Sequence, residues 1–207
     1  MIHKYFVTGI GTEVGKTYCS AMLVKALKAD YWKPVQAGDL HDLEKEKISK
    51  WSGTDGQLFP ERYLLNTPAS PHYAAELDNV RIELDDFELP QTDNALVVEG
   101  AGGLLVPLNE KDTIFDLIKK IGLPVVLVIK HYLGSINHSL LSLDLLKAHN
   151  IPIAAVIFNG ESSPHSESVI TNWIPEGTKL LYMPDIDWSD TALADKTAND
   201  WAKELND

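Results

Sequence analysis

The 207-residue chain contains one cysteine, Cys19, so no disulfide can form within it. No apolar run approaches the roughly 20 residues needed to span a bilayer. The opening Met1-Ile2-His3-Lys4 runs straight into a strand-like segment, without the apolar centre of a secretion signal. These features lead us to expect a cytoplasmic protein with no membrane partner. Positive charge is scarce: 18 Lys and Arg against 30 Asp and Glu give a formal net charge of −12. That balance argues against nucleic acid as the main partner, because a phosphate backbone selects basic surfaces. A local loop on an acidic protein can still bind a nucleotide. The seven histidines show no zinc-ligand spacing, and His131 and His138 read as surface or supporting groups. No Ser–His–Asp pattern, internal repeat, low-complexity stretch or linker is present. The length suits a single domain, 1–207.

Hydrophobic residues make up 44% of the chain and charged residues 23%, ordinary values for a globular protein. Short runs rich in Val, Ile and Leu recur at Tyr5–Thr8, Tyr31–Lys33, Ala95–Glu99, Val125–Ile129, Ile153–Phe158 and Leu180–Met183. They lack two-residue alternation, as strands buried on both faces of a parallel sheet do. Helical patterns separate them at Lys16–Ala29, Leu43–Trp51, His72–Leu77, Thr113–Ile121, Ser135–His149, Ser166–Trp173 and Thr191–Leu205. This alternation predicts a doubly wound α/β fold with a mostly parallel sheet. Asn66-Thr67-Pro68-Ala69-Ser70-Pro71 reads as a Pro-punctuated loop.

Gly9-Ile10-Gly11-Thr12-Glu13-Val14-Gly15-Lys16-Thr17 follows the first strand and opens the first helix. Strand, glycine-bearing loop, Gly-Lys-Thr and helix is the layout of a phosphate-binding P-loop. Glycines let backbone N–H groups turn toward phosphate oxygens, and the helix N-terminus adds the positive end of its dipole. Lys16 supplies a cation for the phosphates and Thr17 a hydroxyl for Mg²⁺. The spacing is a variant of the usual Walker A pattern: Gly9 leaves five residues before Gly-Lys, and Gly11 leaves three. Cys19, one helical turn on, reads as a small buried apolar side chain.

In open α/β sheets, ligands lie outside the carboxyl ends of the strands. Polar residues just after strands are therefore candidates. Lys33 ends a strand and is followed by Pro34, which stops it. Beside a phosphate loop, a second cation could hold a transferring phosphate or an anionic substrate group. Glu99 closes Ala95-Leu96-Val97-Val98, the pattern of a Mg²⁺-side carboxylate, and Gly100, Gly102 and Gly103 permit close backbone approach. Asn159 could hydrogen-bond an adenine edge or cap the following turn.

In order along the chain, G-x-x-T-E-V-G-K-T, K-P-V-Q-x-G, V-E-G-A-G-G-x-x-x-P-L and L-G-x-I-N-H resemble the dethiobiotin synthetases, from Tyr5 to about Asn159. The resemblance implies an ATP- and Mg²⁺-dependent enzyme of biotin synthesis. It closes a ureido ring on 7,8-diaminononanoate with CO₂, through a carbamate and a carbamic–phosphoric anhydride, and releases ADP and phosphate. By that resemblance Glu13, Val14, Gly15, Lys16, Thr17 and Tyr18 surround the nucleotide phosphates, with Glu99, Gly100, Ala101, Gly102 and Gly103 beside them. Asn159 contacts adenine, and Lys16 and Lys33 stabilise the carbamate and its phosphorylated form. Thr17 and Glu99 hold Mg²⁺ with a further carboxylate, Asp42 or Glu44. A homodimer with its active site at the subunit interface is implied, in which Gly134, Ser135, Ile136 and Asn137 reach the substrate's carboxylate tail in the partner's site. Ala37 stands where a Ser or Thr contacts substrate in many members, and Gly11 where many have Asp. Two rival readings are a partitioning- or septum-type ATPase and an amide-forming relative from cobalamin synthesis. The first usually carries an additional lysine near the start of the loop, where this chain has Ile10 and Gly11. The second needs a glutaminase domain, for which the chain has no room.

Overall fold

The structure, a computed structural model, describes residues 2–189 and 191–206. Seven strands form one sheet in the order β4-β2-β6-β1-β7-β8-β9. They are β1 (Lys4–Gly9), β2 (Asp30–Trp32), β4 (Leu58–Phe59), β6 (Leu96–Gly103), β7 (Val125–Lys130), β8 (Ile153–Asn159) and β9 (Lys179–Met183). Every neighbouring pair runs parallel. Phe6, Val7, Leu96, Val97, Val98 and Val125 through Ile129 have no exposed surface, as strands covered on both faces require. The expected doubly wound α/β architecture is thus present, and its sheet is parallel throughout the described residues.

The helices are α1 (Lys16–Leu27), α2 (Glu44–Ser52), α3 (Pro71–Leu77), α4 (Ile114–Ile121), α5 (Ser135–Ala148), α6 (Pro164–Thr171) and α7 (Thr191–Asn206). α1 packs against both α2 and α7, and α5 packs against α6 and β7. Local chemistry sets several boundaries. Thr113 and Asp116 form a reciprocal capping box on α4, and Gly122 ends that helix in the left-handed region. Pro71 occupies the first turn of α3, where its missing N–H costs nothing.

Two short strands, β3 (Val35–Ala37) and β5 (Tyr63–Leu65), pair in a separate parallel sheet that the sequence pattern did not predict. Pro34 explains the split. It cannot donate to the main sheet, and its carbonyl accepts from Arg62 N (2.9 Å) and Tyr63 N (3.0 Å), turning the chain into the second sheet. Lys33 is thereby left at the carboxyl end of β2.

The strand order reverses about β1: the chain leaves it for β2 on one side, while β6 and β7 flank it. A crevice outside the carboxyl ends of β1, β6 and β7 is the expected ligand position. A cleft of about 910 Å³ lies at that end, lined by loop, helix and β3 residues that include Lys16, Lys33, Glu44 and Gly102.

Candidate active site

The loop after β1 explains its own spacing. A Cβ on Gly9 would come within 2.5 Å of Val14 Cγ2, whereas one on Gly11 would meet nothing nearer than Tyr132 Oη at 3.8 Å. Gly9 is required because Val14 folds back into the core; Gly11 is not sterically required. Gly15 starts α1 at φ 88°, and a Cβ there would lie 2.0 Å from Asn159 Nδ2. Glu13 is also at positive φ, 58°, so two residues of the loop are left-handed before the helix begins, the backbone pattern from which anion-binding nests are built. Lys16 is buried and donates from Nζ to Gly11 O at 3.0 Å.

A charged cluster sits behind this loop. Thr17 Oγ1 lies 3.0 Å from Glu99 Oε1 and 3.2 Å from Glu44 Oε1, so one hydroxyl faces two carboxylates. Lys33 Nζ is 3.3 Å from Glu99 Oε1 and also pairs with Glu44 Oε2. Tyr31 donates its hydroxyl to Glu99 Oε2 at 3.0 Å. Glu99 is wholly buried and Lys33 nearly so. Burial alone would push the Lys33 ammonium down, but Glu99 and Glu44 outweigh it and hold its pKa above the ordinary lysine value. Lys16 moves the other way. Its burial lowers its pKa, and the partial compensation from Glu99 is itself opposed by nearby Lys33. Burial works against the Glu99 carboxylate, yet Lys33, Lys16 and hydroxyl donors keep it below the usual range. Burial and then the Glu99 charge push the Tyr31 phenol well up, so it stays a neutral donor. Cys19 is buried and its thiol is raised by desolvation, which makes it inert packing.

Glu44 and Asp42 part company here. Glu44, the first residue of α2, shares the Thr17–Lys33–Glu99 cluster. Asp42 also lines the cleft but stands outside this cluster, with its side chain 70% exposed and paired with Lys47 at 2.8 Å. The combination of two carboxylates and a hydroxyl suits a hard divalent cation such as Mg²⁺. Among the described residues no group of three or more His, Cys, Asp or Glu gathers that could hold a metal ion, so the protein's own ligands here are the two carboxylates and the Thr17 hydroxyl.

The remaining candidates fall around this cluster. Gly102 adopts φ 66° near the end of β6, and a Cβ on Gly103 would touch the Gly11 backbone at 3.4 Å. Gly100 admits the Phe6 ring, which a Cβ would approach to 2.9 Å. Ala101 and Ala37 line the cleft, as do Glu13 and Tyr18. Asn159, at the end of β8, donates from Nδ2 to Val14 O at 2.8 Å, and so ties the loop to a second recess of about 410 Å³ that includes His131 and Ser163. Gly134, Ser135, Ile136 and Asn137 form the start of α5 outside the lining of their own chain's cleft, beside the fully exposed Leu133. Tyr31 is a member of the site that was not among the sequence candidates. Its signal was the two-residue strand period, which puts Tyr31 and Lys33 on one side of the chain.

A family model for an AAA domain matches residues 3–186. The ATP-dependent dethiobiotin synthetase BioD of Christiangramia forsetii is 52% identical over 171 residues, covering 82% of each chain. The chain belongs to the dethiobiotin synthetase family. The member from Rhodopseudomonas palustris strain BisB18 is 47% identical over 188 residues, 90% of each chain. Among solved structures, the septum site-determining protein MinD of Pyrococcus horikoshii with Mg-ADP superposes with a TM-score of 0.56 at 12% identity, covering 100% of this chain and 96% of that one. A ParA family ATPase from Chlorobium tepidum gives 0.53 at 13% identity, covering 98% and 99%. These two likenesses establish a shared fold, and the synthetase family is set by the sequence relatives. No helix among the described residues is long and apolar enough to cross a membrane.

Proposed function

We propose that this chain catalyses ATP-dependent carboxylation and ring closure of 7,8-diaminononanoate to dethiobiotin. The observation that supports this reading is the convergence of Lys16, Thr17, Lys33 and Glu44 on one cleft, with the buried Glu99 joined to Thr17 and Lys33 behind them. The chain is also 52% identical to a named synthetase. One substrate amine takes up CO₂ as a carbamate, losing a proton. A carbamate oxygen then attacks the γ-phosphorus of ATP, and the bond to ADP breaks. The second amine attacks the carbonyl carbon of the resulting carbamic–phosphoric anhydride, expels phosphate and closes the ureido ring.

Each step gathers negative charge on oxygen, and the residues answer that need. Lys33 is held cationic by Glu99 and Glu44, so it acts as a fixed charge beside the carbamate rather than as a base. Lys16, the first residue of α1, would turn its ammonium from Gly11 O to the β- and γ-phosphates. Backbone amides of residues 13–18 receive the phosphate oxygens at the N-terminus of α1. Thr17, Glu99 and Glu44 would hold Mg²⁺, which supplies charge neutralisation to the phosphates when bound. No protein nucleophile is required, in keeping with the inert Cys19. Asn159, with Nδ2 engaged by Val14 O, keeps Oδ1 for an exocyclic amine of adenine. Ala37 offers no hydroxyl to the substrate. Gly134 to Asn137 would complete the partner's site in a homodimer, a reading supported by their position off their own cleft and beside Leu133.

The test is which partner speeds ATP hydrolysis. ADP release should rise on adding the diamine with bicarbonate and stay unchanged on adding duplex DNA or lipid vesicles. Stimulation by DNA or lipid alone would replace the synthetase reading with that of a nucleotide switch.

A further inference from the structure

Three aromatic rings from distant parts of the chain form a continuous stack beside the cleft. Tyr18 of α1 stacks on Trp51 of α2, with centroids 4.6 Å apart and planes 13° from parallel. Trp51 stacks in turn on Trp188, in the segment between β9 and α7, at 5.6 Å and 9°. Tyr18 immediately follows Thr17, and both Tyr18 and Trp51 line the cleft. The stack lies at the margin of the core: Trp51 and Trp188 are partly buried against it, while Tyr18 at the cleft end is 44% exposed.

α2 needs an external anchor. It is a nine-residue helix whose N-cap, Leu43, makes no side-chain cap, and only Ile48 and Ser52 of it are buried. Glu44, Ile48 and Trp51 fall at i, i+4 and i+7, on one face. Ile48 therefore seats the middle of the helix, and Trp51 carries the same face on to the stack at its C-terminal end. Lys25 adds a tie at the same end, donating to Ser52 O at 3.3 Å and pairing with Asp195 of α7 at 2.7 Å.

We infer that the Tyr18–Trp51–Trp188 stack is a positioning device that sets Glu44 of α2 opposite Thr17 of α1 and so fixes the divalent-cation site. Trp51 and Trp188 are positioning residues; neither needs to touch substrate. The inference rests on the reading that Thr17, Glu44 and Glu99 hold the cation. It gives the segment after β9 a role at the metal side of the cleft, although β9 itself pairs with β8 at Asn159, on the opposite side of the loop.

The test measures Mn²⁺ affinity of the ADP-bound protein by electron paramagnetic resonance, and ADP affinity without metal by calorimetry. Trp51→Ala should weaken Mn²⁺ by about fivefold or more, the scale of one lost aromatic stack, with ADP affinity changed by less than about twofold. Trp51→Phe should restore most of the loss. Trp188→Ala, at the outer end of the stack, should show a smaller loss in the same direction, and it serves if Trp51→Ala does not fold. Glu44→Gln is the control. If it leaves Mn²⁺ affinity unchanged, the cation reading fails. If it weakens Mn²⁺ while the folded tryptophan variants bind Mn²⁺ normally, the positioning inference alone is overturned. Equal losses of Mn²⁺ and ADP affinity in the tryptophan variants would overturn it too, since they would report general loosening of the site.

Discussion

Replacing Lys33 by methionine keeps most of the side chain's volume and removes its charge, which separates two consequences of the cluster. Lys33 is 6% exposed and Glu99 is wholly buried, so solvent screens their interaction little. Breaking a buried pair leaves an uncompensated charge, at a cost of about 3–5 kcal/mol. Lys16 still faces Glu99, which places the loss near the lower end, about 3 kcal/mol. At roughly 2–4 °C per kcal/mol for a chain of this size, Tm without ligands should fall by roughly 6–12 °C. Adding Glu99→Gln to Lys33→Met removes the fully buried stranded carboxylate but leaves Glu44 without Lys33 and Lys16 without Glu99, so it should recover only part of that loss. Activity should not follow stability. Lys33→Met should lower kcat about 100-fold or more, equivalent to roughly 2.7 kcal/mol of barrier, and the double variant should remain inactive. Scanning calorimetry with a product assay measures both. A Tm within about 2 °C of the parent would refute the buried-pair argument, and near-parental kcat would remove Lys33 from the chemistry.

Glu44→Gln should raise the Mg²⁺ concentration needed for half-maximal activity by about tenfold, while Asp42→Asn should shift it less than about twofold, because only Glu44 faces Thr17 and Glu99; a Mg²⁺ titration of each variant checks this. Gly15→Ala forces a Cβ against Asn159 at φ 88° and should weaken ADP binding by about tenfold or more, measured by calorimetry. Stability should also depend on pH in two windows, followed by thermal unfolding. The folded-state pKa of Glu99 lies below its ordinary value of 4.5, so its contribution is present above that value and lost as pH falls through the depressed one. The folded-state pKa of Lys33 lies above 10.5, so its contribution is complete below that value and lost as pH rises through the elevated one. Glu99→Gln should flatten the acid limb; an unchanged limb would show that other carboxylates dominate it.

The central strands were legible because β1, β7 and the first half of β6 carry apolar runs buried on both faces, whereas the Glu99–Gly103 half of β6 carries no such run. β3, β4 and β5 were not, since two or three residues carry no period, and Pro34 hides the continuation of the chain beyond Lys33. Within the site, the loop and Lys33 followed from their places after strands; Glu99 was found as the carboxylate after an apolar run, although β6 continues past it to Gly103. The choice between Asp42 and Glu44 stayed open in the sequence, because two acids separated by one residue are told apart only by the direction each takes from the start of α2. The Tyr18–Trp51–Trp188 stack left no sequence signal at all: its members come from three elements far apart in the chain, and only the fold brings them together.

The central claim is tested most directly by supplying the protein with ATP, Mg²⁺, ¹³C-bicarbonate and 7,8-diaminononanoate and analysing the product by mass spectrometry. Dethiobiotin carrying one ¹³C, formed in step with ADP and phosphate, is the predicted result. ATP binding and hydrolysis without any labelled ureido product would contradict it.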